Sequence, residues 1–497
     1  MARINTNVSS LLAQHNLRRT EDDLRTRLQR LSTGLRINRG ADDPAGLIVS
    51  ERLRSEIRGL GQAIDNSERA SSVIATIEGY LAEVNDLLNS IKGLVISSAN
   101  TGGISRQEIE ANQLQVDSAI DSITRISNTA SFAGLQLLDG SLSYLTSGVN
   151  ASQISTVDVF GTKFGNNSTV QVSVEVIASA QTATLFLSGV TTGGAPAQGI
   201  LLSSVTVEIA GAKGVQTLAF VSGTTFTNVM NAINTLKDST GVSAYLVNTA
   251  ASADGLILNS TSFGSDPFVS VRKIGTGGAF FQTHAAKGST PTTERDNGQD
   301  VKAIINGTLA SGTGLMTKLN TPSLSLEMVL DSSFATTITG TSSIFNITGG
   351  GANFQLGPTV NSTQQVSFGV RSIAASRIGS TLVNGTLFQL NSLKTGGANS
   401  LVGGKADSAS LILESAITDI SVLRGRLGAF ERNTVQTNIR SLQVGLENIT
   451  AAESKIRDAD FALETALLTR AQILSQAGTS VLAIANVSSQ NILALLG

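Results

Sequence analysis

Apolar residues recur at alternating steps of four and three within the first hundred residues, and this spacing constrains the fold more than any other feature. An α-helix turns once in 3.6 residues, so the spacing puts these side chains on one face, which then needs a partner helix. The pattern predicts one long helix over residues 44–100, with Asp43 as its N-cap and Pro44 at its first position. The unbroken run consists of Ala70, Ile74, Ile77, Leu81, Val84, Leu88, Ile91 and Val95.

Shorter runs with similar spacing lie before this stretch and near the end of the chain, and we divide the apolar positions into two groups. The first group, the bundle seam, is predicted to form the core of a helical bundle: Leu53, Ile57, Leu60, Ile64, Ile74, Ile77, Leu81, Val84, Leu88, Ile91, Val95, Ile439, Leu442, Leu446 and Ile449. The second group, the terminal seam, lies closer to the two chain ends: Leu24, Leu28, Leu31, Leu35, Ile473, Leu474, Val481 and Leu482.

Seams of this kind need partners, and the simplest arrangement pairs the N-terminal helices with the C-terminal ones in an elongated bundle. The C-terminal spacing is predicted to continue in register through Ile456 and Leu463. The middle of the chain would then form an insert between the helices of the two ends.

The middle of the chain has a different composition. Residues 141–400 carry few charges but hold 31 of the 49 glycines and five of the six prolines. Polar and β-branched residues alternate in 169–176, 205–209 and 218–221, as in half-exposed strands, and one short helix is predicted over 228–237. The predicted fold class is therefore α+β, with a coiled-coil helical bundle built from both chain termini and a mainly β central insert.

Composition argues against an enzyme. The 497 residues include no cysteine, which excludes disulfides, zinc–thiolate sites and iron–sulfur clusters. The two histidines, His15 and His284, are far apart and belong to no H-E-x-x-H motif. We therefore expect no catalytic residue, no metal site and no cofactor.

Nucleic acid and membrane partners are also disfavoured. The net charge is −2, and no aromatic residue interleaves the arginines of the first forty residues, as a single-strand platform would require. The N-terminus lacks the apolar core of a signal peptide, and no run approaches the roughly 18–20 apolar residues that span a bilayer. We expect neither nucleic-acid binding nor membrane insertion, and secretion would have to use another export route.

Both ends of the chain carry motifs that resemble bacterial flagellins. They are INTN at 4–7, LSTGLRIN at 31–38, DDPAGL at 42–47, FAGLQLLDG at 132–140, AAESKIRDAD at 451–460 and AQILSQAGTSVLA at 471–483. Residues 204–270 are similar to a repeat shared by flagellins and hook-associated proteins.

The resemblance implies a non-enzymatic structural subunit that polymerises with itself into the extracellular flagellar filament used for swimming. It also implies type III export, and as partners the flagellar export apparatus, a secretion chaperone, the filament cap and the hook-junction proteins. The terminal seam would form an inner tube upon assembly. Five segments are expected: an N-terminal inner-tube helix at 1–43, the N-terminal part of the bundle with a β-hairpin at 44–175, a surface-exposed, mainly β insert with two subdomains at 176–400, the C-terminal part of the bundle at 401–452, and a C-terminal inner-tube helix at 453–497.

Two alternatives stay open at this point. The chain could be a hook–filament junction protein, which has similar ends, although the run QAGTS at 476–480 favours flagellin. It could also be an enzyme carried on a flagellin scaffold, but the metalloprotease variety would need the absent H-E-x-x-H motif.

A final expectation concerns a patch by which a Toll-like receptor detects some flagellins. The matching residues here are Ser90, Ile91, Lys92, Gly93 and Leu94, but Ser90 stands where that pattern has its first arginine and Gly93 where it has glutamate. Arginines are frequent among interface hot spots, so we expect this chain to be a weak agonist. In the alternative interpretation, residues 89–100 are only coiled-coil surface that the filament buries.

Overall fold

A computed structural model describes residues 6–164, 168–188, 199–248, 255–276, 281–286, 292–338, 340–383 and 386–494. The chain divides into two compact units. Unit one contains residues 1–75, 354–365 and 426–497, and unit two contains residues 76–353 and 366–425.

The helices lie mainly at the two ends of the chain. Within the described residues they are α1 (Val8–Thr33), α2 (Pro44–Ala99), α3 (Arg106–Thr129), α4 (Phe226–Thr235), α5 (Lys237–Thr240), α6 (Ser332–Ala335), α7 (Ala406–Phe430), α8 (Gln436–Arg457) and α9 (Phe461–Ala494). A π-helical turn, Glu431–Val435, joins α7 to α8, and two short 3₁₀ turns occupy Leu390–Leu393 and Leu401–Gly403.

The strands occupy the central part of the chain, as the alternating pattern predicted. They are β1 (Ser131–Phe132), β2 (Leu135–Gln136), β3 (Tyr144–Ser147), β4 (Ile154–Thr162), β5 (Val170–Ala178), β6 (Thr184–Ser188), β7 (Val205–Gly211), β8 (Gly214–Phe220), β9 (Val242–Leu246), β10 (Gly255–Ser260), β11 (Phe268–Ile274), β12 (Thr283–His284), β13 (Arg295–Asn297), β14 (Lys302–Ile305), β15 (Thr308–Leu309), β16 (Ser311–Thr313), β17 (Met316–Asn320), β18 (Leu324–Leu330), β19 (Ser343–Gly350), β20 (Ala352–Gln355), β21 (Gln365–Phe368), β22 (Thr381–Val383) and β23 (Thr386–Phe388).

Capping residues that are recognisable in the sequence set the ends of the long helices. The Asp43 carboxylate accepts a hydrogen bond from the Gly46 backbone N–H at 2.9 Å, which confirms the predicted cap at the start of α2. Helix α1 ends where Gly34 adopts a positive φ of 73°, and the Gly34 N–H donates to the Arg30 carbonyl. Helix α2 therefore spans almost the predicted range, and α1 occupies residues 8–33 of the expected N-terminal segment 1–43.

The predicted continuous C-terminal register is wrong. Helix α8 ends at Arg457 and α9 begins at Phe461, so the apolar spacing is interrupted. The intervening residues pair with the segment after α1: Asp458 forms an isolated bridge with Leu35, and the Ala459 N–H donates to the Gly34 carbonyl at 2.9 Å. The backbone leaves the helix because these hydrogen bonds replace the helical ones.

Two β subdomains, each with its own core, form the insert within unit two. The first has sheets in the order β15-β14-β5-β19-β3 and β16-β17-β18-β4, around Val172, Leu326 and Phe345. The second has sheets in the order β12-β6-β10-β9 and β13-β11-β7-β8, with Phe226 and Val229 of α4 packed into its core. The strand pairs described in these sheets are antiparallel.

The observed elements confirm the α+β fold class, with helical termini around a β-rich middle. Two of the expected segment bounds fall inside elements: 175/176 lies within β5, and 452/453 lies within α8. The division into five segments stays a prediction.

Candidate assembly surface

Helices α1 and α9 of unit one lie antiparallel and pack against each other. Near the start of α1, the Asn7 side-chain amide donates to the Ala485 carbonyl at 2.9 Å. The Ser10 hydroxyl donates to the Asn486 side chain at 2.7 Å. The first turn of α1 therefore meets the later part of α9, and the end of α1 meets the beginning of α9.

The packed face follows a heptad pattern, although many of its members are small. On α1 a series of buried and half-buried positions steps by three and four: Ser10, Ala13, Leu17, Thr20, Leu24, Arg27 and Leu31. Thr26, Gln29 and Arg30 are half-buried beside this series. On α9 four residues spaced seven positions apart lie on the side packed against α1, and we name this set the contact stripe: Glu464, Ala471, Gly478 and Ala485. Small side chains let the helices approach closely, since a Cβ added at Gly478 would lie 3.2 Å from Leu17 Cδ1.

One charged residue of the contact stripe is buried with two arginines. The Glu464 side chain is only 6% exposed, and its carboxylate lies 3.0 Å from Arg27 Nη1 and 3.1 Å from Arg30 Nη1. Arg27 also pairs with Asp23 at 3.0 Å, one turn earlier on α1. Burial disfavours the charge on Arg27, but the hydrogen bonds and charges of Glu464 and Asp23 outweigh it and raise the pKa of Arg27.

The structure separates the predicted terminal seam into different surroundings. Leu24 and Leu31 belong to the packed face of α1, and Leu482 of α9 is half-buried. Leu35 lies beyond the end of α1, in the bridge with Asp458. The other four members are exposed: Leu28, Ile473, Leu474 and Val481. The sequence pattern missed this division because the helix contact uses alanine and glycine, which a search for large apolar residues overlooks.

The three exposed seam members on α9 belong to a larger apolar surface of that helix. Six side chains with exposed fractions of 48–70% share an arc about 140° wide, counted at 100° per residue, and we name them the apolar flank: Leu463, Ile473, Leu474, Val481, Ile484 and Val487. On α1, Val8, Leu11 and Leu12 are also exposed, at the end of α1 that meets Ala485 and Asn486. Exposed large apolar side chains at this density mark a surface that binds another protein.

The bundle seam is fully buried in one part of the chain and only half-buried in another. In unit two, each member from Ile77 to Val95 is 2% exposed or less, and in unit one Ile74 and Leu60 are buried. The remaining members are half-buried: Leu53, Ile57, Ile64, Ile439, Leu442, Leu446 and Ile449.

Polar contacts align α2 with α8 in unit one. Arg457 of α8 pairs with Glu51 at 2.5 Å, and the Asn438 side chain donates to the Ser67 hydroxyl at 3.3 Å. Glu431, in the π turn before α8, accepts from the Ser71 hydroxyl at 2.5 Å. The order of these contacts shows that α2 and α8 are antiparallel.

Helix α7 supplies a row of core residues that the sequence analysis did not identify. They step by 4, 3, 4, 3 and 4, and each is 2% exposed or less: Ala409, Leu413, Ala416, Ile420, Leu423 and Leu427. This is the same heptad spacing as the bundle seam, with alanine at two of six positions, so the signal was present in the sequence. Lys92 of α2 and Glu414 of α7 form an ion pair at 3.6 Å beside this row.

The predicted receptor patch is divided between core and surface. Ile91 is fully buried in the bundle seam, whereas Ser90 and Gly93 are exposed. Lys92 and Leu94 are half-buried, with Lys92 in the ion pair with Glu414.

The described part of the chain offers little for chemistry. No three of its acidic or histidine side chains gather in a way that could hold a metal ion. His15 lies exposed on α1, and His284 lies half-buried on strand β12. None of the helices described has the length and apolar content that crossing a bilayer requires.

Comparisons with known proteins agree with this arrangement of helical ends. Residues 4–143 match the family model of the bacterial flagellin N-terminal helical region, and residues 411–496 match that of the C-terminal helical region. The B-type flagellin of Pseudomonas aeruginosa is 30% identical over an alignment of 552 positions, with 99% of each chain covered. The flagellin of Salmonella rubislaw is also 30% identical, over an alignment of 527 positions and again 99% of each chain.

Among solved structures, the flagellar hook-associated protein-3 of Legionella pneumophila is 12% identical, covers 82% of this chain and 98% of its own, and has a TM-score of 0.30. The full-length flagellin relatives and the two terminal family models decide the matter: the chain belongs to the bacterial flagellin family.

Proposed function

We propose that this structural subunit of the extracellular flagellar filament polymerises by burying the apolar flank of α9 against neighbouring subunits. The observation that carries the proposal is the exposure of six large apolar side chains on a helix that already packs against α1 through another face. Burying one leucine-sized side chain contributes about 1.5–3 kcal/mol, so six half-exposed ones could contribute roughly 5–10 kcal/mol per subunit.

A polymer rather than a closed dimer follows when the apolar flank binds a different surface on the neighbouring subunit. The apolar flank lies on one side of α9, and its contact partner on a neighbour need not be the same flank. A contact between two different surfaces adds subunits head to tail, and it produces an open helical filament when the rotation between subunits does not close. The half-buried part of the bundle seam in unit one offers further apolar surface for such contacts.

The finer predictions about this chain belong to the same proposal. We infer that it has no catalytic activity and no cofactor, in keeping with a structural family. Its further partners would be the flagellar export apparatus, a secretion chaperone, the filament cap and the hook-junction proteins. The hook–filament junction role is the less supported alternative, since the full-length relatives are flagellins.

The test is a pair of adjacent substitutions on α9. Ile473→Asp places a carboxylate on the apolar flank, where burial without a partner would cost several kcal/mol. Gln472→Asp introduces the same carboxylate at the exposed neighbouring position, about 100° further round the helix. We expect Ile473→Asp to abolish sedimentable filaments and Gln472→Asp to retain them, with far-UV circular dichroism melting of both monomers close to the original.

A second member of the terminal seam provides an independent check. Leu28 is half-exposed on α1, so Leu28→Asp should also block polymerisation while leaving the monomer's melting temperature almost unchanged. If Ile473→Asp and Leu28→Asp both assemble as well as the unaltered chain, the proposed surface is wrong.

A further inference from the structure

The face by which α1 and α9 pack repeats every seven residues, and such a face is compatible with more than one alignment. Leucines recur at positions 17, 24 and 31 of α1, and small residues recur at positions 471, 478 and 485 of the contact stripe, with Leu17 against Gly478 in the observed alignment. Sliding one helix by seven residues, about 10.5 Å, would again set leucines against small residues. Apolar packing alone therefore distinguishes poorly between the observed alignment and its neighbours.

Glu464 breaks this degeneracy, because it occupies the same heptad position as the three small residues but carries a buried charge. In the observed alignment its carboxylate bonds to Arg27 and Arg30 at 3.0–3.2 Å. Since Leu17 lies against Gly478, a slide of seven residues would place Glu464 opposite position 24 or position 38 instead. Position 24 is a leucine, and position 38 is an asparagine beyond the end of α1.

A buried carboxylate that loses both cationic partners is strongly unfavourable, more so than the net gain from forming the pair. Polar contacts at the other end of the helix pair, from Asn7 to Ala485 and from Ser10 to Asn486, are made in the same alignment. In coiled coils, a single polar residue at a core position is a known means of fixing register.

We propose that Glu464, together with Arg27 and Arg30, fixes the register of α1 against α9 and rejects alignments shifted by one heptad. Glu464 acts here as a positioning residue. This alignment is formed within one chain, so the inference does not depend on whether the apolar flank is the assembly surface.

Because the natural chain has no cysteine, introduced pairs can report the alignment without interference. Leu17→Cys with Gly478→Cys reports the observed register, since a Cβ at 478 lies 3.9 Å from Leu17 Cβ, close to the disulfide optimum of about 3.8 Å. Leu17→Cys combined with Ala471→Cys or with Ala485→Cys reports a shift of one heptad in either direction. The three pairs are oxidised in the full-length chain under conditions that favour assembly, and the disulfides are quantified by peptide mass spectrometry.

With Glu464 intact, the 17–478 disulfide should exceed each shifted disulfide at least tenfold. Glu464→Gln preserves the shape and removes the charge, and should raise the shifted disulfides to within a few-fold of the 17–478 disulfide. Reversing all four charges (Asp23→Arg, Arg27→Glu, Arg30→Glu and Glu464→Arg) should restore the tenfold preference. Asp22→Asn, which removes an exposed carboxylate on α1, should leave the preference unchanged.

Three results would overturn the proposal. They are the absence of a preference for the 17–478 disulfide when Glu464 is intact, a preference that survives Glu464→Gln, and a charge-reversed chain that does not regain it. A role in stability alone would lower the yield of every disulfide together and leave their ratio unchanged.

Discussion

Ser90 and Gly93 lie on the exposed side of α2, next to Ile91, which is fully buried. A Cβ at Gly93 would meet no atom within 4 Å, so a larger side chain fits there. Glycine inside a helix also costs about 1 kcal/mol relative to alanine. The residues that differ from the receptor-binding pattern are therefore the accessible ones, and the differences can be reversed without disturbing the core.

We expect Ser90→Arg/Gly93→Glu to strengthen signalling through the Toll-like flagellin receptor. An arginine hot spot contributes about 2 kcal/mol or more, which is roughly a thirtyfold change in affinity. A cell reporter assay comparing the double variant with the unaltered chain measures the effect. Strong signalling by the unaltered chain, with no gain in the variant, would favour the interpretation of 89–100 as ordinary coiled-coil surface.

Asp42 shows how a single carboxylate orders the turn between α1 and α2. Its side chain accepts hydrogen bonds from the backbone N–H groups of Arg39 at 2.8 Å and Asn38 at 2.9 Å. These bonds, of which the one from Arg39 has the larger effect, hold the pKa of Asp42 below its usual value. Because the pKa of Asp42 is lowered in the folded state, its charge stabilises the turn at pH values above the ordinary aspartate pKa of about 3.9. This stabilisation is lost as the pH falls through the lowered pKa.

Asp42→Asn should therefore accelerate amide hydrogen exchange in residues 35–43 at pH 7 and have a smaller effect at pH 2, where more of the Asp42 carboxylate is protonated. The comparison is made between variant and unaltered chain at each pH, so that intrinsic exchange rates cancel. Asp22→Asn, on the exposed side of α1, serves as the control. An equal effect of Asp42→Asn at both pH values would show that the charge of Asp42 is not responsible.

At the scale of elements, heptad spacing identified the long helix α2 and Asp43-Pro44 identified its N-cap, because large apolar residues and this dipeptide give strong local signals. The spacing could not reveal that α1 and α9 meet through Ala471, Gly478 and Ala485, since small residues give no such signal. Nor could it locate the break after Arg457, which depends on hydrogen bonds to Gly34 from a distant part of the chain.

Two members of the bundle seam should differ in their contribution to stability. Leu81 is fully buried in unit two, whereas Leu53 is half-buried in unit one. Leu81→Ala should lower the free energy of unfolding by about 2–5 kcal/mol through lost burial and a cavity. Leu53→Ala should lower the free energy of unfolding by about 1 kcal/mol, because folding buries less of the apolar surface of the Leu53 side chain. Urea unfolding of the monomer followed by circular dichroism measures both, and equal losses would contradict the distinction between the two parts of the seam.

At the scale of the whole molecule, the alternating pattern predicted a mainly β insert, but not how its strands are paired. The second subdomain joins the first where Gln181 and Gln299 form a two-hydrogen-bond bridge at 2.9 and 3.0 Å. Beside this bridge, Phe263 packs against the core of the first subdomain and the Ser265 hydroxyl donates to Asp300, but each subdomain has a separate core of buried residues. Pairing of this kind depends on contacts between residues more than a hundred positions apart, which local patterns do not encode.

Removing residues 182–298 and joining Gln181 to Gln299 through Asn-Gly should therefore leave the rest of the chain folded. Bridged residues lie close enough for a two-residue turn to connect them. We expect the shortened chain to retain its helical circular dichroism and to polymerise. A chain that unfolds or fails to assemble would contradict the independence of the second subdomain.

The most direct test of the assembly surface is a helical reconstruction of the purified polymer by electron cryomicroscopy. We predict filaments in which α1 and α9 remain paired. In these filaments the side chains of the apolar flank, including Ile473 and Val481, are buried against neighbouring subunits. Filaments whose apolar flank faces solvent, or a chain that forms no filament, would contradict this prediction.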